Sequence, residues 1–259
     1  MQSVKALALC VALVLTFSCA AQKTTTPATY PSNTREYQLG SYLWYQTSGE
    51  LKALCYQAFN LGKMKLERDL ENKYNGKRAV VFDIDETVLD NSFSGAYEVK
   101  NNIPWDQEKF NQWVAMKRAE ALPGAVEFIE FAQKNRVEVI YISNRTQSQK
   151  EDTLLNFKRL GINAKKENLY FLGDDWSKEA RRKAVLSKYH VVLYFGDNLG
   201  DFHKDWDGKS SVERRALVDQ HREDFGEKFI ILPNPLYGDW EKSLPKNVKR
   251  TDLLKTIPE

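Results

Sequence analysis

Histidine is scarce in this 259-residue chain: His190, His203 and His221 are the only three, and no two stand at metal-ligand spacing. That scarcity argues against zinc chemistry and against a histidine nucleophile. Cysteine is equally sparse. Cys10, Cys19 and Cys55 include no CxxC pair, and none is followed by an arginine at the spacing a cysteine-phosphatase loop needs. An excess of one charge is lacking too. The 38 Lys and Arg face 35 Asp and Glu, a formal net charge of +3, so no overall field favours nucleic acid. Gly208-Lys209-Ser210 ends like a phosphate-binding loop, but His203 stands where that loop opens with Gly. The cluster Lys178, Arg181, Arg182, Lys183 and Lys188 reads as a solvated helix face, with Lys178 excepted below.

What is present begins with a secretory pattern. Residues 1–18 carry Lys5 and then an apolar run, Ala6 to Leu15, too short to span a bilayer. Thr16-Phe17-Ser18-Cys19 resembles a lipoprotein signal that leaves Cys19 as a lipidated first residue, while Ser18-Cys19-Ala20 would also serve an ordinary signal peptidase. Residues 19–34 then form a polar tether. With Cys10 removed and Cys19 lipidated or cleaved off, Cys55 remains alone, so the fold stands without an intramolecular disulfide in an oxidising compartment. Cys55 reads as helix core.

From 35 to 77 the pattern is helical. Thr47-Ser48-Gly49-Glu50 can form a capping box, followed by one apolar face of Leu51, Leu54, Cys55, Ala58 and Phe59. Tyr42, Trp44 and Tyr45 are expected to pack this segment on the main domain. Residues 78–259 form that domain. Ala79 to Phe82 is a continuous apolar run, the pattern of a strand buried on both faces. Helices at 125–134, 149–160, 177–188 and 212–220 alternate with strands at 137–142, 168–172, 191–195 and 229–232. Five strands in this rhythm predict an α/β fold with a doubly wound, mainly parallel sheet. An insertion at about 91–122, carrying Phe93, Tyr97, Trp105, Phe110 and Trp113, reads as a cap over the site. Most of these rings are expected to form the cap's own small core, and one or two to face substrate.

Three of the strands end in polar sets: Asp83/Asp85/Thr87, Ser143/Asn144/Arg145 and Asp197/Asp201. Ligands of open α/β sheets bind beyond the carboxyl ends of strands, and carboxylates there are costly unless used. Four carboxylates drawn together repel one another, and a divalent cation relieves this. Oxygen donors without His or Cys favour Mg²⁺. A carboxylate attacking a phosphate meets repulsion on the order of 4 kcal/mol per charge pair at about 4 Å in a partly solvated site. A cation and a nearby lysine offset that repulsion. Asp83 is then placed to attack as nucleophile, Asp85 to act as acid and base, and Ser143 with nearby amides to hold phosphate oxygens.

Asp83-Ile84-Asp85-Glu86-Thr87, Ser143, Lys178 and Gly196-Asp197 with Asp201 resemble the four motifs of the haloacid dehalogenase (HAD) superfamily. The likeness narrows to the bacterial class C acid phosphatases, the lipoprotein e(P4) family of 5′-nucleotidases. It rests on Leu43 to Glu50, Val88-Leu89-Asp90-Asn91-Ser92, Tyr141 to Arg145, Gly196 to Leu199, Leu232-Pro233-Asn234 and Tyr237-Gly238-Asp239-Trp240. The resemblance implies a HAD-like Rossmannoid sheet. It implies Mg²⁺ held by Asp83, the Asp85 carbonyl and Asp197, with Asp201 supporting the metal's water shell. Lys178 would bridge phosphate and nucleophile, with Arg181 the alternative, and Thr87, Ser143, Asn144 and Lys178 would form the phosphate-binding set. Trp105 or Phe110, with Tyr237, would line the substrate pocket. The expected protein is thus an exported, Mg²⁺-dependent acid phosphatase acting on nucleoside monophosphates and other small esters. It would be anchored through a lipid on Cys19 at the outer membrane or cell surface, or else be soluble in the periplasm or medium. A phosphotransferase or a binding or storage protein on the same fold are the alternatives. The oligomeric state stays open, a homodimer included.

Overall fold

The computed structural model describes residues 35–246 and 248–257, so the expected signal and tether, with Cys10 and Cys19, lie outside the described residues. A 3-10 turn at Glu36–Gln38 leads into α1 (Leu39–Thr47) and α2 (Gly49–Leu70). The break between them falls one residue later than the capping box placed it. Thr47 is still helical and donates its hydroxyl to the Leu43 carbonyl at 2.6 Å, whereas extended Ser48 accepts from the Leu51 N–H at 3.2 Å. α2 buries Leu51, Cys55, Ala58, Phe59, Gly62 and Leu66, the inward stripe that helical spacing dictates. Leu54 departs from the expected face and is exposed, because the stripe continues through Ala58 and Gly62 instead. Tyr42 and Tyr45 are buried and Trp44 packs beside them, as expected.

The α/β body follows in order: β1 (Arg78–Phe82), β2 (Leu89–Asp90), α3 (Ser92–Lys100), α4 (Gln107–Met116), β3 (Glu120–Ala121), α5 (Ala125–Lys134) and β4 (Glu138–Ile142). Then come α6 (Lys150–Arg159), β5 (Leu169–Tyr170), α7 (Glu179–Leu186), β6 (His190–Gly196), α8 (Ser211–Gln220), β7 (Phe229–Ile231) and α9 (Asp239–Lys242). Five strands make one sheet in the order β5-β4-β1-β6-β7, with every pairing parallel. The chain winds outward from β1 to β4 and β5, then crosses back to place β6 and β7 on the other side. β1 therefore lies between β4 and β6, and the three polar strand ends converge where the winding reverses.

The unbroken apolar run of β1 divides by side-chain alternation. Val80 and Phe82 enter one core with α2 and α5 residues, and Ala79 and Val81 enter a second with Val185, Trp206 and Phe229. Aromatic rings bind the first core: Phe82 and Phe195 stack at 4.5 Å between centroids, with Phe128 and Phe59 against them. Arg181 and Arg182 correct the expectation of a solvated basic face. Arg182 is buried and donates to the carbonyls of Gly200 (2.6 Å) and Asp201 (3.2 Å), because α7 packs inward through positions 178, 182 and 185. Lys183 on its outer side and Lys188 beyond its end are exposed.

The cap consists of α3 and α4, closed at its base by the antiparallel pair β2–β3. Its rings do not form the small core expected of them. Phe93, Tyr97 and Trp105 are exposed, and among the described residues Phe93 stacks on Trp113 alone.

Candidate active site

Asp83 directly follows β1, and its N–H is bonded to the Phe195 carbonyl at 2.9 Å, which fixes the strand end against β6. The chain then turns tightly: the amides of Val88 and Leu89 both donate to Ile84 O, at 2.9 and 2.8 Å. The turn requires Glu86 at φ +54°, a left-handed conformation that costs a residue with a side chain about 1–2 kcal/mol. Glu86 is fully buried, and its Oε1 accepts from the N–H of Asn91, where the cap begins. Burial, reinforced by Asp85 and Asp197, lifts the Glu86 carboxyl well above its ordinary range.

Across the turn, Asp83, Asp197 and Asp201 each place a carboxylate oxygen within 4.8 Å of the others. Buried Lys178 at the start of α7 donates to Asp83 and, at 2.7 Å, to Asp201 Oδ1. Arg181, the alternative for that position, instead bonds the Ser143 carbonyl and Asn144 Oδ1 through its guanidinium, each at 2.6 Å. Burial raises the Asp83 carboxyl well above normal despite Lys178, and burial with Asp201 nearby raises Asp197 to about 7. Burial alone would lower Lys178, but Asp201 and Asp83 outweigh it and raise its ammonium. Asp201 turns inward because Gly196 has no side chain: a Cβ there would stand 2.5 Å from Asp201 Oδ2. Asp197 is held by Thr87 Oγ1 at 3.1 Å and by Asn234 Nδ2 at 2.8 Å. Three oxygen donors with one lysine are a donor set that fits a hard divalent cation.

The Asp85 side chain turns away from that cluster to Arg145, which is 3% exposed and bonds Asp85 Oδ1 at 2.8 Å. Asn91 Nδ2 donates to the same oxygen at 2.7 Å, and Ser143 Oγ reaches Asp85 Oδ2 at 3.4 Å. Arg181 occupies Asn144 Oδ1 and so leaves the amide N–H groups as the donors this side chain offers.

These residues border a cleft of about 610 Å³. Asp83, Asp85, Asn144, Lys178, Asp197, Asp201, Trp105, Phe110 and Tyr237 all line it. Of the expected site residues, Thr87 and Ser143 are fully buried behind it. Arg145, Asn91 and Trp176 went unassigned in the sequence. The signal for Arg145 was its place at a strand end opposite unpaired acids. The segment ahead of α1 adds Arg35 to the cleft lining, where it pairs with buried Glu98 of α3, and nearby Tyr37 donates to Glu241 of α9, itself a lining residue.

Two solved structures and one sequence family resemble this chain. The crystal structure of the class C acid phosphatase from Bacillus anthracis with tungstate bound superposes with a TM-score of 0.82 at 41% identity, covering 86% of this chain and 98% of that one. A second structure of the class C acid phosphatase from Bacillus anthracis gives a TM-score of 0.81 at the same identity and coverage. Residues 2–240 match the sequence family described as HAD superfamily, subfamily IIIB (acid phosphatase). With its paired aspartates, buried lysine and second acidic strand end in a HAD-type sheet, this chain belongs to that family and is a phosphomonoesterase.

Proposed function

We propose that the chain hydrolyses nucleoside monophosphates and other small phosphate esters through an aspartyl-phosphate on Asp83, with Mg²⁺ as its cation. The observation that carries this reading is the contact of Lys178 with both Asp83 and Asp201 inside a cluster of three carboxylates. Lys178 holds Asp83 Oδ1, so Oδ2 is the oxygen positioned to attack phosphorus as the ester oxygen departs. Asp85 gives that oxygen its proton, then takes one from the water that cleaves the aspartyl-phosphate, releasing inorganic phosphate. The Asn144 amide and the Lys178 ammonium receive phosphate oxygens, and Ser143 steadies Asp85, while Thr87, buried behind the cleft, keeps Asp197 aimed at the cation. Asp83, Asp197 and Asp201 would hold Mg²⁺ together with the Asp85 carbonyl. When bound, the ion neutralises these carboxylates and the charge gathering on the phosphoryl group. The tungstate of the Bacillus anthracis relative is a tetrahedral oxyanion, which suits a site of this kind. Trp105, Phe110 and Tyr237 offer ring faces to a base or aryl group.

The reading extends to place: the mature chain is exported and held to a membrane through a lipid on Cys19. The test is phosphate release from AMP, nicotinamide mononucleotide and an aryl phosphate by residues 20–259, with Mg²⁺ or with chelator. Turnover that chelator removes, Mg²⁺ restores and Asp83→Asn abolishes is the expected result. Turnover indifferent to metal, or kept by Asp83→Asn, overturns the mechanism. A preference for aryl over nucleotide esters overturns the substrate assignment alone.

A further inference from the structure

The two oxygens of Asp85 are used unequally. Oδ1 accepts from Asn91 Nδ2 at 2.7 Å, from Arg145 Nη2 at 2.8 Å and from Arg145 Nε at 3.0 Å. Among the described residues Oδ2 has only longer contacts, 3.3 Å to Arg145 Nε and 3.4 Å to Ser143 Oγ. One oxygen is clamped and the other is left to work.

Both residues of the clamp are touched by the cap. Asn91 Oδ1 accepts from Trp113 Nε1 of α4 at 2.8 Å and from Arg145 Nη2 at 3.4 Å. Phe110 of the same helix lies over the Arg145 guanidinium, 5.8 Å from ring centroid to Cζ. The indole N–H can only donate and Asp85 Oδ1 accepts whether or not Oδ2 carries the proton, so the Asn91 amide has one orientation that satisfies both. A flipped amide would set its N–H groups against two donors and its oxygen against a carboxylate. The backbone N–H of Asn91 is fixed as well, on Glu86 Oε1 at 2.8 Å. Trp113 is itself braced by its stack on Phe93 of α3, at 6.2 Å and 20°.

We infer that Trp113 and Asn91 are positioning residues that couple the cap to Asp85. The Trp113 N–H sets the Asn91 amide, and Asn91 with Arg145 clamps Asp85 Oδ1 and presents Oδ2 to the leaving oxygen. Proton delivery is then complete only while α4 is seated over the cleft. This inference rests on the proposed role of Asp85 as the acid, and the experiment separates the two.

The measurement is kcat/KM on two small esters, glycerol 2-phosphate and p-nitrophenyl phosphate, because kcat/KM reports the steps through departure of the leaving group. An alkoxide needs a proton to leave, whereas p-nitrophenolate does not. Trp113→Phe keeps the ring and deletes the N–H. It is expected to lose about tenfold more kcat/KM on the alkyl ester than on the aryl ester. Equal losses on both esters overturn the coupling and leave Trp113 a packing residue. Should Trp113→Phe not fold, Asn91→Ser is judged by the same ratio. Asp85→Asn is run in parallel. If it slows both esters alike, the acid assignment falls and the coupling with it. If it shows the bias and Trp113→Phe does not, the acid assignment stands and the coupling alone falls.

Discussion

Asp197 shows how a buried charge cluster links stability to pH. Its carboxyl is raised to about 7 in the folded protein and returns to about 3.9 when the chain unfolds. Between those values the folded state holds a proton that the unfolded state has released, so stability falls as pH rises through the window. Asp83, also raised, acts in the same direction, while Lys178 contributes only in the alkaline range where the free lysine would titrate. The chelated protein should therefore melt at a lower temperature at pH 7 than at pH 5. A divalent cation, which needs the ionised carboxylates, should flatten or reverse that slope. Calorimetry at the two pH values with and without metal checks both parts. Gly196 makes a second claim at this scale. Gly196→Ala forces Asp201 aside, so divalent-cation affinity should drop about tenfold or more by titration calorimetry, the order seen when groups that orient a metal site are lost.

At the scale of elements, helices and strands were legible because their signals are local. The α5 span of 125–134 follows directly from its apolar period and the Pro123-Gly124 turn before it. The unbroken apolar run of β1 announced a strand covered on both sides, and it is the middle strand of five. The three polar strand ends likewise foretold where the site would assemble. What the sequence hid were inward-facing charges. Arg182 looks in sequence like Lys183, and only the docking of α7 decides that one reaches carbonyls under Asp201 while the other meets water. The cap rings divide for a related reason, since hydrophobicity does not say whether a ring packs on its own element or borders a cleft. Trp105 and Phe110 line it, as one or two rings were expected to, whereas Phe93 and Tyr97 are exposed instead of forming a core of the cap. The helix yields a paired prediction. Arg182→Met should cost about 2–3 kcal/mol, since it strands buried carbonyl groups, whereas Lys183→Ala should stay within about 0.5 kcal/mol. Urea denaturation of the two variants checks the contrast.

Across the whole molecule, the reactive groups come from segments far apart in the chain and meet only through the sheet. Asp83 and Lys178 are separated by nearly a hundred residues, and Asn234 reaches back to Asp197 from beyond β7. A spacing motif can name such residues but cannot show that Asp85 faces an arginine, or that the cap is bonded to it. Among the described residues no helix is long and apolar enough to cross a membrane. The cleft is also completed from the very start of the described chain, where Arg35 meets Glu98 of the cap. For anyone engineering this protein, that makes residue 35 a doorpost. A bulky fusion joined just ahead of it would begin beside a residue that lines the cleft and is expected to slow large esters more than small ones, whereas a thin leader would leave the two alike.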